Sequence, residues 1–405
     1  MGIRMKKISV SKTEYNILSF LEKRADIIAL VAISVLGLII RLFFIKFETS
    51  DYTGFLSPWF EQLKNDGGLM GMANYTGNYN YAYVTVLALL TYLPIRSLYS
   101  IKAVSILFDF GCASVGALLG KKAFSGSKRT FTLIYGIVLL SPIVVINSSL
   151  WAQCDSVYTF FVLLTIYLFL CEKYSFAMFI FGIAFSFKLQ AVFVLPLLIL
   201  LYLVNKNFSV IHFLMIPAGI IAANIPGFIF SGKGPVGFVK TYIEQIKDPV
   251  RMLTQNFPNI YYWISAWHYD LYKKVGIVFT ASVFLIVFLI IYGKVKKIEN
   301  RQIVSMALWS ILCCVYFLPN MHERYGYAAE LLCIIWAFGH VKWSWYPVVL
   351  NTIILFCYFC VIYGYNLFLF QTYSVVNILM FVAFTIYVLI DLTKSAELSD
   401  GSKTV

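Results

Sequence analysis

The sequence predicts an all-α, polytopic membrane protein of about twelve membrane-crossing helices, with short amphipathic interfacial helices in its outer loops. Composition is the first reason. Only 13% of residues are charged and 60% are hydrophobic, whereas a soluble domain carries about 25% charged residues. The second reason is the pattern behind a mean hydropathy of +0.81: apolar residues fall in runs that approach the ~20 residues needed to cross a bilayer. The third is the placement of charge. The formal net charge of +13 sits mostly in short loops between apolar runs, which is a topology signal and points to no nucleic-acid partner.

Taken in order, the first run is Ile27–Phe47, preceded by Arg4, Lys6, Lys7, Lys12, Lys23 and Arg24. Those cations place the N-terminus in the cytoplasm. The run is long and lacks a small-residue cleavage site, so it reads as a retained membrane helix rather than a signal peptide. Glu48–Ser100 is then the first outer loop. Within it Ser57–Lys64 opens on Ser-Pro and mixes Trp and Phe with Glu and Lys, as an interfacial helix would. Tyr81–Leu93 is apolar but short, and Pro94 follows. Reading it as re-entrant or interfacial keeps Lys121, Lys122, Lys128 and Arg129 inside.

Further spans are expected at Ala103–Gly120, Thr130–Asn147, Val157–Cys171, Ser175–Phe187, Leu189–Val204 and Val210–Phe230. The last five are Val275–Tyr292, Ile303–Leu318, Tyr327–Val341, Trp345–Tyr363 and Ser374–Asp391. This assignment leaves both termini cytoplasmic. Ser231–Lys274 becomes a second long outer loop, its Gly and Pro arguing for irregular backbone and its Trp and Tyr for an interfacial belt. The polar tail, Thr393–Val405, is expected to be disordered. The whole chain, residues 1–405, reads as one integral-membrane domain. Seven of the eight cysteines lie in apolar runs, only Cys154 in a polar cluster, with no metal or disulfide spacing.

Four polar clusters meet the same outer face on this topology. Asp51, just past the first span, could act as a general base for a hydroxyl nucleophile, or it could be a solvated loop Asp capping a turn. NSSLWAQCDS (147–156) offers hydrogen-bonding groups suited to a sugar and, in Trp151, a ring face for a pyranose; helix capping by Asp155 or Ser156 accounts for part of it. Lys188 interrupts an apolar stretch too long for one span, where an ammonium fits an anionic lipid headgroup or simply snorkels to the interface. His322, Glu323 and Arg324 follow Pro319-Asn320 at the expected start of a helix, where free N–H groups and an Arg favour a phosphate. An internal Glu–Arg pair is the alternative there.

These motifs, SDYTGF (50–55) with SPWFEQL (57–63), SSLWAQCDSVYTFF (148–161), FSFKLQAVFVLP (185–196) and LPNMHERYGY (318–327), resemble those of the GT-C integral-membrane glycosyltransferases in order and spacing. The likeness is to bacterial mannosyltransferases related to the GPI-anchor second mannosyltransferase and, more distantly, to dolichol-pathway glucosyltransferases. Two departures stand out: NYNYAYV (78–84) replaces an aromatic-Pro or Pro-Pro step, and Ala152 stands where Gly is commoner.

The resemblance implies a polyprenyl-phosphate-hexose donor, mannose or glucose, and inversion at the anomeric carbon on the extracytoplasmic face of the cell membrane. Asp51 then resembles the catalytic carboxylate, and His322, Arg324 and Lys188 the donor-phosphate contacts. Trp151, Gln153, Asp155, Glu323 and Tyr52 are the candidates for sugar and acceptor contacts. The acceptor would be a glycolipid, a cell-envelope glycan or a protein. No cofactor or metal is expected, because no carboxylate cluster demands one. A transporter or flippase of a lipid-linked sugar is the rival reading; it would use the same headgroup contacts without a general base.

Overall fold

Ser11 starts the first helix with a reciprocal cap: its hydroxyl accepts from the Glu14 N–H, and the Glu14 carboxylate accepts from the Ser11 N–H. Helix α1 (Lys12–Phe44) then runs for 33 residues. In the computed structural model residues 11–247, 251–364 and 369–401 are described; Arg4, Lys6 and Lys7 lie outside them.

Next come α2 (Ser57–Asn65), α3 (Tyr81–Leu90), α4 (Ser97–Ala123), α5 (Lys128–Leu140) and the single turn α6 (Pro142–Val145). The middle of the chain forms α7 (Asp155–Leu170), α8 (Tyr174–Phe187), α9 (Leu195–Val204), α10 (Met215–Phe230) and α11 (Gly234–Ile246). Helices α12 (Tyr269–Lys294), α13 (Asn300–Phe317), α14 (Tyr327–Ala337), α15 (Trp345–Tyr363) and α16 (Phe370–Gly401) complete it. The sheet content among the described residues is one parallel pair of two-residue strands, β1 (Thr254–Gln255) and β2 (Met321–His322). The fold is all-α.

Six helices are long and apolar enough to cross a membrane, and a seventh if Lys128–Leu140 and Pro142–Leu150, bent by 49°, count as one. The bend falls at Ser141, whose ψ of 128° is what a following proline ring imposes. This is a membrane-embedded protein. Each of the twelve expected apolar runs falls on a helix, but they are not twelve equivalent rods. The apolar helices of α7, α8, α9 and α14 have only 10–17 residues, short of the ~20 a bilayer needs. They fall short because polar breaks at Cys154, Lys188 and the 319–326 loop cut the apolar runs.

Exposure differs widely between the helices. Only 11% of the best apolar window of α1 is buried, whereas α13 is buried at every residue from Gln302 to Phe317. Helix α4 packs between α5 and α7, and α13 against α14 and α16. Helices α8 and α10 meet at Gly182 and Gly219, where a methyl group on either would overlap the backbone opposite.

One expectation is corrected. The outer segment Ser231–Lys274 is not all loop, because α11 occupies its first third. Gly234 and Pro235, which read as loop formers, are the first residues of that helix, where a missing N–H costs nothing. Helix α16 runs on past Thr393 to Gly401; its KSAEL stretch consists largely of good helix formers. Residues 402–405 lie outside the described residues.

The connections α4–α5, α7–α8 and α12–α13, with Asn205 after α9, gather around a cleft of about 440 Å3 that Lys122, Lys297 and Arg301 help to line. The polar clusters named above assemble away from it.

Candidate active site

Two π-turns build the site. Asp51 immediately precedes one, Tyr52–Leu56, and Trp151 immediately follows the other, Ile146–Leu150. An inserted residue of this kind re-aims the side chains next to it and recurs at functional sites. Ala152 follows with φ +65°, a left-handed conformation that costs a residue bearing a Cβ about 1–2 kcal/mol. Thr49 ties the two segments together, its hydroxyl donating to the Trp151 carbonyl at 3.2 Å.

These turns bring Trp151 and Gln153 onto one oxygen of Asp51. Trp151 Nε1 donates to Asp51 Oδ2 at 3.0 Å and Gln153 Nε2 donates to the same atom at 2.9 Å. Oδ1 takes no hydrogen bond among the described residues. The carboxylate is 27% exposed, and Arg324 Nη1 lies 3.9 Å from Oδ2. Asp51 is therefore oriented on one side and open on the other.

Lys188 breaks the chain between α8 and the 3-10 turn that leads into α9, with extended backbone at φ −148°, ψ 140°. Its ammonium donates to Asp155 Oδ1 at 2.5 Å, while Asn147 Nδ2 donates to Asp155 Oδ2 at 3.0 Å. On the third segment Arg324 Nη1 donates to Glu323 Oε1 at 2.6 Å, and its guanidinium lies 5.2 Å from the centre of the Trp151 ring. Strand β2 carries His322 into a pairing with Gln255 and a bridge to Asn256. Asn320 and Asn256, with φ +63° and +59°, turn the chain on either side. Asn and Asp tolerate that region better than most residues.

Protonation follows from this packing. Burial, reinforced by the Arg324 and Lys188 charges, pushes the His322 imidazole down to about 3, so it is neutral at pH 7. Burial opposes the charge of Arg324, but Glu323, Asp155 and Asp51 outweigh it and hold the guanidinium above its ordinary range. Lys188 shows the same balance, burial against Asp155, and its ammonium is also held above the usual value. Burial raises Glu323, with Arg324 as the main opposing influence.

Of the residues singled out from sequence, Asp51, Trp151, Gln153, Asp155, Lys188, His322, Glu323 and Arg324 come together; Tyr52 does not. Its hydroxyl bonds Ser97 Oγ at 2.9 Å and its ring is buried with Leu56 and Phe60. Four of the residues expected to contact sugar are buried. Trp151, Asp155 and Glu323 are each 1% exposed and Gln153 is 2%. The Trp151 ring has Arg324 over it and the Tyr358 ring edge-on. These four residues hold the accessible ones in place. The internal Glu323–Arg324 pair, an alternative in the sequence, is present. It coexists with an Arg324 Nε that is buried and has no partner among the described residues.

Sequence reasoning missed Asn147 as the second partner of Asp155, the Gln255–Asn256 segment across His322, and a buried pair, Arg41 with Asp109. The last had a signal: a lone Arg and a lone Asp inside two apolar runs. Among the described residues no three His, Cys, Asp or Glu side chains group as a metal would need. No family model and no curated protein matches the chain.

Proposed function

We propose that this chain is an inverting, GT-C-like glycosyltransferase, moving a hexose, mannose or glucose, from a polyprenyl-phosphate donor to an acceptor hydroxyl. The observation that carries the reading is Asp51: a carboxylate fixed through Oδ2 by two N–H donors, with the Arg324 guanidinium 3.9 Å from Oδ2 and with Oδ1 taking no hydrogen bond among the described residues. The acceptor oxygen attacks C1 from the face opposite the phosphate and gives its proton to Asp51 Oδ1. The C1–O bond breaks, and its electron pair leaves with the polyprenyl phosphate.

Lys188 and Arg324 each have a carboxylate partner, so the phosphate meets their remaining donors: the spare ammonium protons of Lys188 and the guanidinium N–H groups of Arg324 that Glu323 does not take. Neutral His322 adds a hydrogen bond rather than a charge. Such preorganised donors typically contribute ~10²–10³ in rate each. The basic connections gather in a cleft away from the site. That fits about twelve crossings with cytoplasmic termini and an extracytoplasmic active site. The acceptor is a glycolipid, an envelope glycan or a protein.

The test uses purified protein in liposomes with radiolabelled β-linked polyprenyl-phosphate mannose or glucose, a lipid and envelope extract as acceptor, and NMR of the product's anomeric proton. Transfer giving an α-linked product is expected. A β-linked product, or movement of intact donor across the bilayer with no transfer, overturns the reading, and the second outcome identifies a flippase.

A further inference from the structure

Arg41 and Asp109 are both 0% exposed, on α1 and α4, and their pair is closed at 2.8 Å between Nε and Oδ2. The other two guanidinium nitrogens are also used: Nη1 donates to the Gly37 carbonyl at 3.0 Å and Nη2 to the Leu139 carbonyl at 2.9 Å. The same Asp109 Oδ2 accepts from the Ser148 hydroxyl at 2.5 Å. Ser148 is the central residue of the π-turn Ile146–Leu150, which delivers Trp151 and Gln153 to Asp51. One chain of contacts thus runs from α1 and α5 through Asp109 into the turn that aims the candidate base.

We propose that Arg41, Asp109 and Ser148 are positioning residues, which fix the π-turn so that Trp151 and Gln153 hold Asp51 in its reactive orientation. Two physical arguments support this. A buried ion pair is a poor source of stability, because desolvation consumes most of the Coulombic gain and apolar replacements are often neutral or stabilising. Its fixed, directional geometry is what it provides instead. A π-turn also carries one residue more than a regular turn, and the alternative is a regular helix that would rotate Trp151 away. A hydroxyl bond at its middle residue selects between the two. The pair sits inside apolar helices, where ionisable residues are costly and usually serve a site.

The rate part of the proposal rests on the glycosyltransferase reading; the geometric part does not. The experiment compares Ser148→Ala with Ser186→Ala, a control that removes another fully buried hydroxyl, bonded only to the Gly182 carbonyl within its own helix. In ¹⁵N-tryptophan-labelled protein, Trp151→Phe assigns the indole N–H signal of Trp151. Ser148→Ala is expected to move that signal away from its hydrogen-bonded position. In the transfer assay kcat falls roughly 10–100-fold at unchanged KM, the scale expected of misplacement near the reacting atoms. Ser186→Ala leaves both readings as in wild type. An unmoved indole signal, an unchanged kcat in an active preparation, or equal effects from the control overturns the proposal. If wild type transfers no sugar but the indole signal moves in Ser148→Ala alone, the positioning inference stands and the glycosyltransferase reading falls.

Discussion

Helix α1 and the polar seam around Asp51 solve the burial problem in opposite ways. Helix α1 turns Val31, Val35 and Ile39 outward, each more than half exposed, and keeps an unbroken backbone for 33 residues. The seam contains two π-turns, three left-handed non-glycine residues and an extended lysine, and it is covered by protein on most sides. Lipid offers no hydrogen-bonding partner, so a lipid-facing backbone must satisfy itself, which only an uninterrupted helix does. Irregular backbone is tolerated only where protein or water completes its bonds. An unbroken helix is therefore what the lipid-facing shell requires, and helix breakage marks the site.

The contrast is sharpest in stability. Lys188→Ala leaves Asp155, 1% exposed, without its cation. Loss of one partner of a buried pair costs about 3–5 kcal/mol. Val35→Ala, on the exposed face of α1, is expected to stay within ~0.5 kcal/mol. Denaturant unfolding in micelles measures both, and equal losses would erase the distinction between shell and seam. In turnover, Arg324→Ala is expected to lose ~10²–10³. Arg324→Lys should not recover it, because an ammonium cannot pair with Glu323, lie over Trp151 and keep a free donor together.

A pH dependence follows from His322. Its folded-state value, about 3, lies below the ordinary 6.5, so between these limits the unfolded chain binds more protons than the folded one. Stability then rises with pH across that window and is lost as pH falls, by at most about 1.4 kcal/mol per pH unit. His322→Gln should flatten this slope between pH 4 and 6.5 in thermal scans. The smallest effect is expected at Ala152→Gly. Releasing the left-handed strain at φ +65° outweighs the added freedom of the unfolded chain, a gain of about 0.5–1 kcal/mol, seen as a higher Tm. A lower Tm would mean that the turn is not strained.

The shell was the legible part of the sequence. Apolar runs such as Val275–Tyr292 and Ser374–Asp391 identify helices because lipid-facing segments must be apolar and continuous. The site was legible as a set of residue types: Asp51, Lys188, His322 and Arg324 stood out because polar groups near a membrane are costly. Their roles were less so. Trp151, Gln153, Asp155 and Glu323 read as sugar contacts, since sequence shows hydrogen-bonding capacity and not which partner consumes it. The left-handed backbone at Ala152 was not legible, because a positive φ leaves no trace in composition. Arg41 and Asp109 are 68 positions apart, and no periodicity connects them.

The central claim is that the broken, buried seam carries a chemical step and that Asp51 is its base. The measurement that tests it most directly is turnover and donor binding by purified wild type and Asp51→Asn in liposomes. The variant keeps an oxygen for Trp151 and Gln153 but cannot take the proton. Loss of ~10²–10⁴ in turnover with donor affinity retained is the predicted result, and normal turnover by Asp51→Asn would contradict the account.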